Sequence, residues 1–312
     1  MGLPASQSVT ETKTWINGSL SDAVSVSDRG LQYGDGFFTS ILMVDGALCN
    51  WSAHWRRISL SLSRLQFPAL DEALLLQQIS SALLAESDEL VKGSKVLKVL
   101  ITRGSAGRGY QIPAEMDANI IFQLSNSPVQ FSSIFKSELE PDLEPEALNI
   151  SLCQTQASIQ VQLAGIKHLN RLENVLARTE VVNRGQQEGL MLNAFQHVIS
   201  GTQSNLFMIQ GDQLITPKLG QSGVEGTTRY QLSLMAASLG FVWDEADITL
   251  SELQQADELF LANAVRGIMP IAQLEGQPFS TEKTLQIHQA WTEWQQQNTL
   301  SLKSIKLNKE TL

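Results

Sequence analysis

Apolar residues recur along this chain at two spacings, every second position in short runs and every third or fourth in longer ones. Trp15-Ile16 runs into Asn17-Gly18 as a strand entering a tight turn. Residues 37–44 read as a strand, which Asp45-Gly46 turns into Ala47-Leu48-Cys49. A helix capped by Ser52 should then run to about Leu65, with His54 and Arg57 three apart on one face. A second helix is expected over 71–86, and strands over 95–102 and 119–124. After Ser125-Asn126-Ser127-Pro128 the chain turns acidic and proline-bearing as far as Glu146, which marks a boundary. Strands follow near 148–154, 190–192, 196–200, 205–209 and 258–261, with helices over 227–239 and 281–297. Leu169, Leu172, Val175 and Leu176 recur at helical spacing just after Lys167, which places that lysine at a strand-to-helix junction.

This alternation predicts an α/β (α+β) protein in two parts with a cleft between them. The expected limits are a tail over 1–12, a small N-terminal α/β domain over 13–125 and a linker over 126–147. A larger domain over 148–298 and a polar tail over 299–312 complete the chain. With 312 residues there is ample length for a sizeable core.

Composition narrows the partners. A net charge of −10 argues against nucleic acid, which needs a basic stripe, but leaves room for a small anion held by local arginines. No apolar run reaches membrane-spanning length, and the N-terminus lacks a signal pattern, so a cytoplasmic location is expected. Cys49 and Cys153 stand far apart, and the four histidines show no ligand spacing, so no metal site is expected.

Three stretches could carry chemistry. Lys167, led by the small residues Ala164-Gly165, becomes a nucleophile if burial lowers its pKa; otherwise it is a surface lysine. Arg103-Gly104-Ser105-Ala106-Gly107-Arg108-Gly109-Tyr110 joins two guanidinium forks to a glycine-rich turn, suited either to carboxylates or to a solvated hairpin tip. Gly223-Val224-Glu225-Gly226-Thr227-Thr228 opens a helix whose first amides could hold a phosphate; plain threonine capping is the alternative.

Taken in order, these pieces resemble a known family. The motifs are Asp28-Arg29-Gly30, Tyr33-Gly34-Asp35-Gly36, the H-x-x-R of His54 and Arg57, Lys167, Ser204-Asn205-Leu206-Phe207, Thr216-Pro217, Gly226-x-Thr228-Arg229 and Ala256-Asp257-Glu258. The chain resembles, over roughly residues 15–275, the class IV (fold type IV) pyridoxal-phosphate enzymes, with their D-amino-acid-aminotransferase-like fold. Within that group, residues 103–110 and 167–173 are similar to the 4-amino-4-deoxychorismate lyases, which release 4-aminobenzoate and pyruvate for folate biosynthesis. The alternatives are an amino-acid transaminase and a non-catalytic binding protein of the same fold.

The resemblance implies a homodimer acting on a small anionic substrate. It implies that Lys167 holds pyridoxal 5'-phosphate covalently and serves as the acid–base group, while Arg57, Thr227 and Thr228 hold its phosphate. Where the aminotransferases carry a threonine phosphate ligand this chain has Ala264, so Asn263 or backbone is expected to substitute. Arg108, with Arg103 and Tyr110, would meet substrate carboxylates, and Thr39 would line the cavity wall. One position departs: the family glutamate that meets the pyridine nitrogen is replaced by Ser200. A hydroxyl offers that nitrogen only a neutral hydrogen bond, which weakens the transaminase reading more than the lyase one.

Overall fold

The computed structural model describes residues 12–85, 87–105, 107, 109–131 and 145–305. Two sheets organise them. The first has seven strands, all antiparallel, in the order Thr299–Ser301, Ala47–Cys49, Gly36–Val44, Ser94–Thr102, Asn119–Asn126, Lys13–Ile16, Ser19–Leu20. Period-two alternation gives its central strands two faces. Phe37, Ile41 and Met43 share one face with Leu97, Val99, Ile101 and Phe122. The helices Trp51–Arg64 and Glu72–Leu84 cover that face, packing Ile58, Leu62, Leu75 and Ile79 against it. The opposite face carries Phe38, Ser40, Val96 and Lys98 and forms the floor of a cleft.

Ser52 does not cap the first of these helices. Asn50 does, in the left-handed conformation at φ 54°, and makes no side-chain cap bond. The expected tail after 298 also differs, because Thr299–Ser301 returns to pair with Ala47–Cys49 in the first sheet. Most of the expected 126–147 linker lies outside the described residues.

The second sheet is mixed, ordered Val242–Ala246, Gln213–Pro217, Asn205–Gln210, Glu258–Asn263, Gly267–Leu274, Leu148–Leu152, Gly189–Leu192, His197–Gly201, Ile248–Thr249, with Gln277–Pro278 paired beside Gly267–Leu274. Its central strands are buried on both faces, with Leu206, Met208, Leu259 and Leu261 in one cluster and Phe207, Ile209, Phe260 and Ala262 in another. Such strands read as continuous apolar runs because neither face meets water.

The helix after Lys167 runs over Leu172–Asn183 and departs from its amphipathic reading. It packs through Ala177 and Val181, while Leu172, Val175 and Leu176 are exposed. Lys167 itself follows turns rather than a strand.

Candidate active site

Residues 165–169 run as a short stitch from the loop that precedes the helix Thr227–Met235 to the edge of the strand Gly36–Val44. At one end the Gly165 N–H donates to Gly223 O at 3.0 Å, and the Glu225 N–H donates to Gly165 O at 2.9 Å. At the other, the Phe38 N–H donates to Lys167 O and the Leu169 N–H to Gly36 O, both at 3.0 Å. Lys167 is thus clamped by backbone bonds to both halves of the molecule. Its side chain enters a cavity of about 780 Å³ that Arg57, Lys98, Arg171, Ser200, Thr227 and Asn263 also line.

One end of this cavity is an anion cup. Gly226 caps the helix Thr227–Met235 without a side-chain bond, so its leading amides lack partners within the helix. The hydroxyls of Thr227 and Thr228 and the Nε of Arg57 are buried with no hydrogen-bond partner. Three orphaned polar atoms are costly unless something binds them. A Cβ on Gly226 would lie 2.0 Å from Asn205 Oδ1, so only glycine lets the chain pass this close. The rest of Arg57 is held: it donates to Glu225 O at 2.8 Å and to Thr39 Oγ1 at 3.1 Å. A phosphate group at this helix N-terminus would give a partner to the two orphans on residues that line the cavity, Arg57 and Thr227.

Electrostatics prepares Lys167 for chemistry. Burial first, then the positive charges of Arg57, Arg171 and Lys98, lower its pKa to about 7. Near neutrality a large share of this amine is therefore unprotonated and nucleophilic. The same burial lowers Arg57 to about 10, which still leaves it a cation. His54 is pushed well below its ordinary value by burial and by Arg57, so it is neutral. Thr39 Oγ1, which accepts from Arg57, can then donate to His54 Nδ1 at 2.6 Å.

The structure sorts the residues singled out in the sequence. Lys167, Arg57, Thr227, Ser200 and Asn263 come together around one cavity, with Thr228 buried behind the cup. Asn263 spends its Oδ1 on the N–H groups of Val265 and Arg266 and turns its Nδ2 toward Gln203 O. Backbone of Ala264, Val265 and Arg266 therefore remains the other candidate on that wall. Thr39 faces the helices, not the cavity, because alternation puts it on the same side as Phe37.

Arg103 is likewise a structural residue in this chain. It is buried, pairs with Asp35 at 2.8 Å, donates to Leu65 O and Gln66 O, and stacks 4.0 Å over the Phe67 ring. Burial alone would raise the Asp35 carboxyl, but hydrogen bonds from Arg103 and Arg29 bring it below its ordinary value. Tyr110 is exposed and packs edge-on against Tyr33, away from this cavity. Arg108 lies outside the described residues.

Two features escaped the sequence reading. Lys98 and Arg171 both reach the Lys167 environment. Lys98 had a visible signal, a lone charge amid the apolar run of residues 96–101. The surroundings of Ser200 are the second. Glu188, close behind Gly201, is fully engaged: it accepts from the N–H groups of Gly189, Thr202 and Gln203 and from the hydroxyls of Thr202 and Ser204. It is a structural anchor of this wall.

A cleft between two sheets, with a lysine of lowered pKa beside a helix N-terminus whose polar atoms lack partners, suits an enzyme that works through a phosphorylated, amine-linked cofactor. The model of the amino-transferase class IV family matches residues 36–274. An aminodeoxychorismate lyase of Vibrio harveyi is 34% identical over 258 residues, covering 83% of this chain and 90% of that protein. The crystal structure of 4-amino-4-deoxychorismate lyase from Pseudomonas aeruginosa superposes with a TM-score of 0.77 at 35% identity, covering 89% of this chain and 97% of that one. A D-alanine aminotransferase of Listeria monocytogenes is 26% identical, covering 86% of this chain and 90% of that protein. The chain belongs to the amino-transferase class IV family, a family of pyridoxal-phosphate-dependent enzymes with the fold type IV architecture.

Proposed function

We propose that this chain is an aminodeoxychorismate lyase, converting 4-amino-4-deoxychorismate into 4-aminobenzoate and pyruvate with pyridoxal 5'-phosphate. The observation that carries this reading is the composition of the cavity. In a chain of net charge −10, its wall holds the cations Arg57, Lys98, Arg171, Arg178 and Arg266, with Lys167 charged only in part, against the carboxylate of Glu173. Such a local excess suits a phosphorylated cofactor together with a dicarboxylate substrate.

Arg57, Thr227 and Thr228 would hold the cofactor phosphate, and Lys167 would bind the cofactor through its amine. When bound, the cofactor supplies an electron sink for the carbon that carries the substrate amine. Lys167, partly unprotonated near pH 7, would take the proton from that carbon as the bond to the ether oxygen breaks, and the released enolpyruvate would become pyruvate on protonation. Ser200 lines the same wall with a hydroxyl rather than a carboxylate. A reaction driven by forming an aromatic ring tolerates a weaker electron sink better than transamination does, which favours the lyase over the transaminase.

The reading extends to a homodimer, since Leu172, Val175 and Leu176 leave an apolar stripe exposed that a second copy would cover. No helix among the described residues is long and apolar enough to cross a membrane. Cys49 and Cys153 are free thiols, which goes with a cytoplasmic location. The test is release of pyruvate and 4-aminobenzoate from aminodeoxychorismate by the cofactor-loaded protein. Equal amounts of both, lost in Lys167→Ala, support the reading. Conversion of the cofactor by amino acids without either product replaces it with the transaminase.

A further inference from the structure

Lys98 stands in the middle of the strand Ser94–Thr102, opposite Ser40 on one neighbour and Gln123 on the other, with its side chain on the cavity face. Its Nζ lies 4.8 Å from the centre of the Phe38 ring. Lys167 Nζ lies 4.7 Å from the same point, so the two amines are no further apart than the sum of those distances.

The other cations of the wall have protein partners. Arg171 donates to the carbonyls of Ile166 and His168, Arg178 to that of Gln187, and Arg266 to the Gln187 side chain. Arg57 belongs to the cup and Lys167 to the reaction. Lys98 differs: among the described residues it has neither an ion pair nor a hydrogen bond, and its contact is the Phe38 ring. A part-buried ammonium with no counter-ion bears a desolvation cost that a bound anion would offset. The shift of its pKa below the ordinary lysine value, caused by burial, records that cost.

We infer that Lys98 binds the ring carboxylate of the substrate, the one retained in 4-aminobenzoate. The inference rests on the lyase reading. In aminodeoxychorismate this carboxylate lies directly across a rigid six-membered ring from the amine, and that amine must come to the place of Lys167 Nζ. Phe38, which both amines approach, offers an apolar surface along which such a ring can lie. Gripping the retained carboxylate orients the ring without holding back the departing enolpyruvate. Lys98 is then a substrate-binding residue.

The experiment compares the cofactor-loaded wild type with Lys98→Met and Lys98→Arg. Methionine keeps an apolar chain against Phe38 and removes the charge. Calorimetric binding of 4-aminobenzoate and steady-state kinetics with aminodeoxychorismate are measured on variants whose melting curves match the wild type. Loss of a charge-assisted bond should weaken 4-aminobenzoate and raise KM about tenfold or more in Lys98→Met, with kcat changed far less. Lys98→Arg should recover most of the affinity. Unchanged 4-aminobenzoate affinity in Lys98→Met, in an enzyme that still forms both products, overturns the inference alone. A raised KM with unchanged 4-aminobenzoate affinity overturns it too, by moving Lys98 to the departing carboxylate. A wild type that forms neither product overturns the lyase reading and this inference with it.

Discussion

The main-chain N–H of Phe38 donates to the carbonyl of Lys167 at 3.0 Å, and this bond ties the reactive lysine to the floor of its own cavity. With backbone bonds on both sides, residues 165–169 cannot shift without breaking ties to the strand Gly36–Val44 and to the loop at 223–225. That rigidity keeps the Lys167 amine buried among cations, and its titration follows from the burial.

With the cofactor removed, the amine should titrate near pH 7 rather than 10.5. The neutral amine is the reactive form, so the rate of recombination with pyridoxal phosphate should rise with pH through about 7, as read by stopped-flow absorbance. Stability should follow the same sign. Between about 7 and 10.5 the unfolded chain binds the proton that the folded one has lost, so stability rises with pH across that window. Lys167→Met should accordingly stabilise the cofactor-free protein at pH 6, by a few kcal/mol as an order of magnitude, and the gain should shrink above pH 7. A gain that does not depend on pH would contradict the titration.

Thr39→Val should weaken cofactor binding more than substrate binding. It removes the acceptor of Arg57 and the partner of His54 Nδ1, both buried. An orphaned buried polar group costs roughly 1–3 kcal/mol, so the dissociation constant for pyridoxal phosphate should rise about tenfold. Cofactor titration followed by fluorescence checks this, with KM measured at saturating cofactor expected to move little.

Arg103→Met should destabilise the fold. Deleting the Arg103 guanidinium leaves Asp35 paired with Arg29 alone and takes the donor from the carbonyls of Leu65 and Gln66. The loss should be about 1–3 kcal/mol in denaturant unfolding, with KM nearly unchanged in the protein that remains folded. A raised KM with intact stability would restore the substrate-binding role that the sequence pattern suggested.

Ser200→Glu should shift the enzyme toward transamination. A carboxylate at this position would favour a protonated ring nitrogen and strengthen the electron sink. Incubation with amino acids should then yield pyridoxamine phosphate, detected chromatographically, faster than in the wild type. Equal rates would show that position 200 does not govern the cofactor's electronics.

Much of this was legible in the chain itself. The periods of apolar residues predicted most strands and helices, because each element must bury one face. The three-residue step from His54 to Arg57 placed both on one helix face, and both do meet Thr39. The glycine-then-threonine opening marked the start of the helix Thr227–Met235, whose leading amides are unpaired by helix geometry alone. What tertiary structure decided is of another kind. Alternation in Gly36–Val44 shows that Phe37 and Thr39 oppose Phe38 and Ser40, but not which pair looks into the cleft; the packing of the two helices settled that. Arg103 reads as a free guanidinium until Asp35, Leu65 and Gln66 arrive from elsewhere in the chain to occupy it. Leu172, Val175 and Leu176 read as core, but no element among the described residues covers them. Local pattern sets the faces of each element, since it acts over neighbouring residues. The partner each face meets depends on contacts between residues far apart in sequence, which only the folded chain selects.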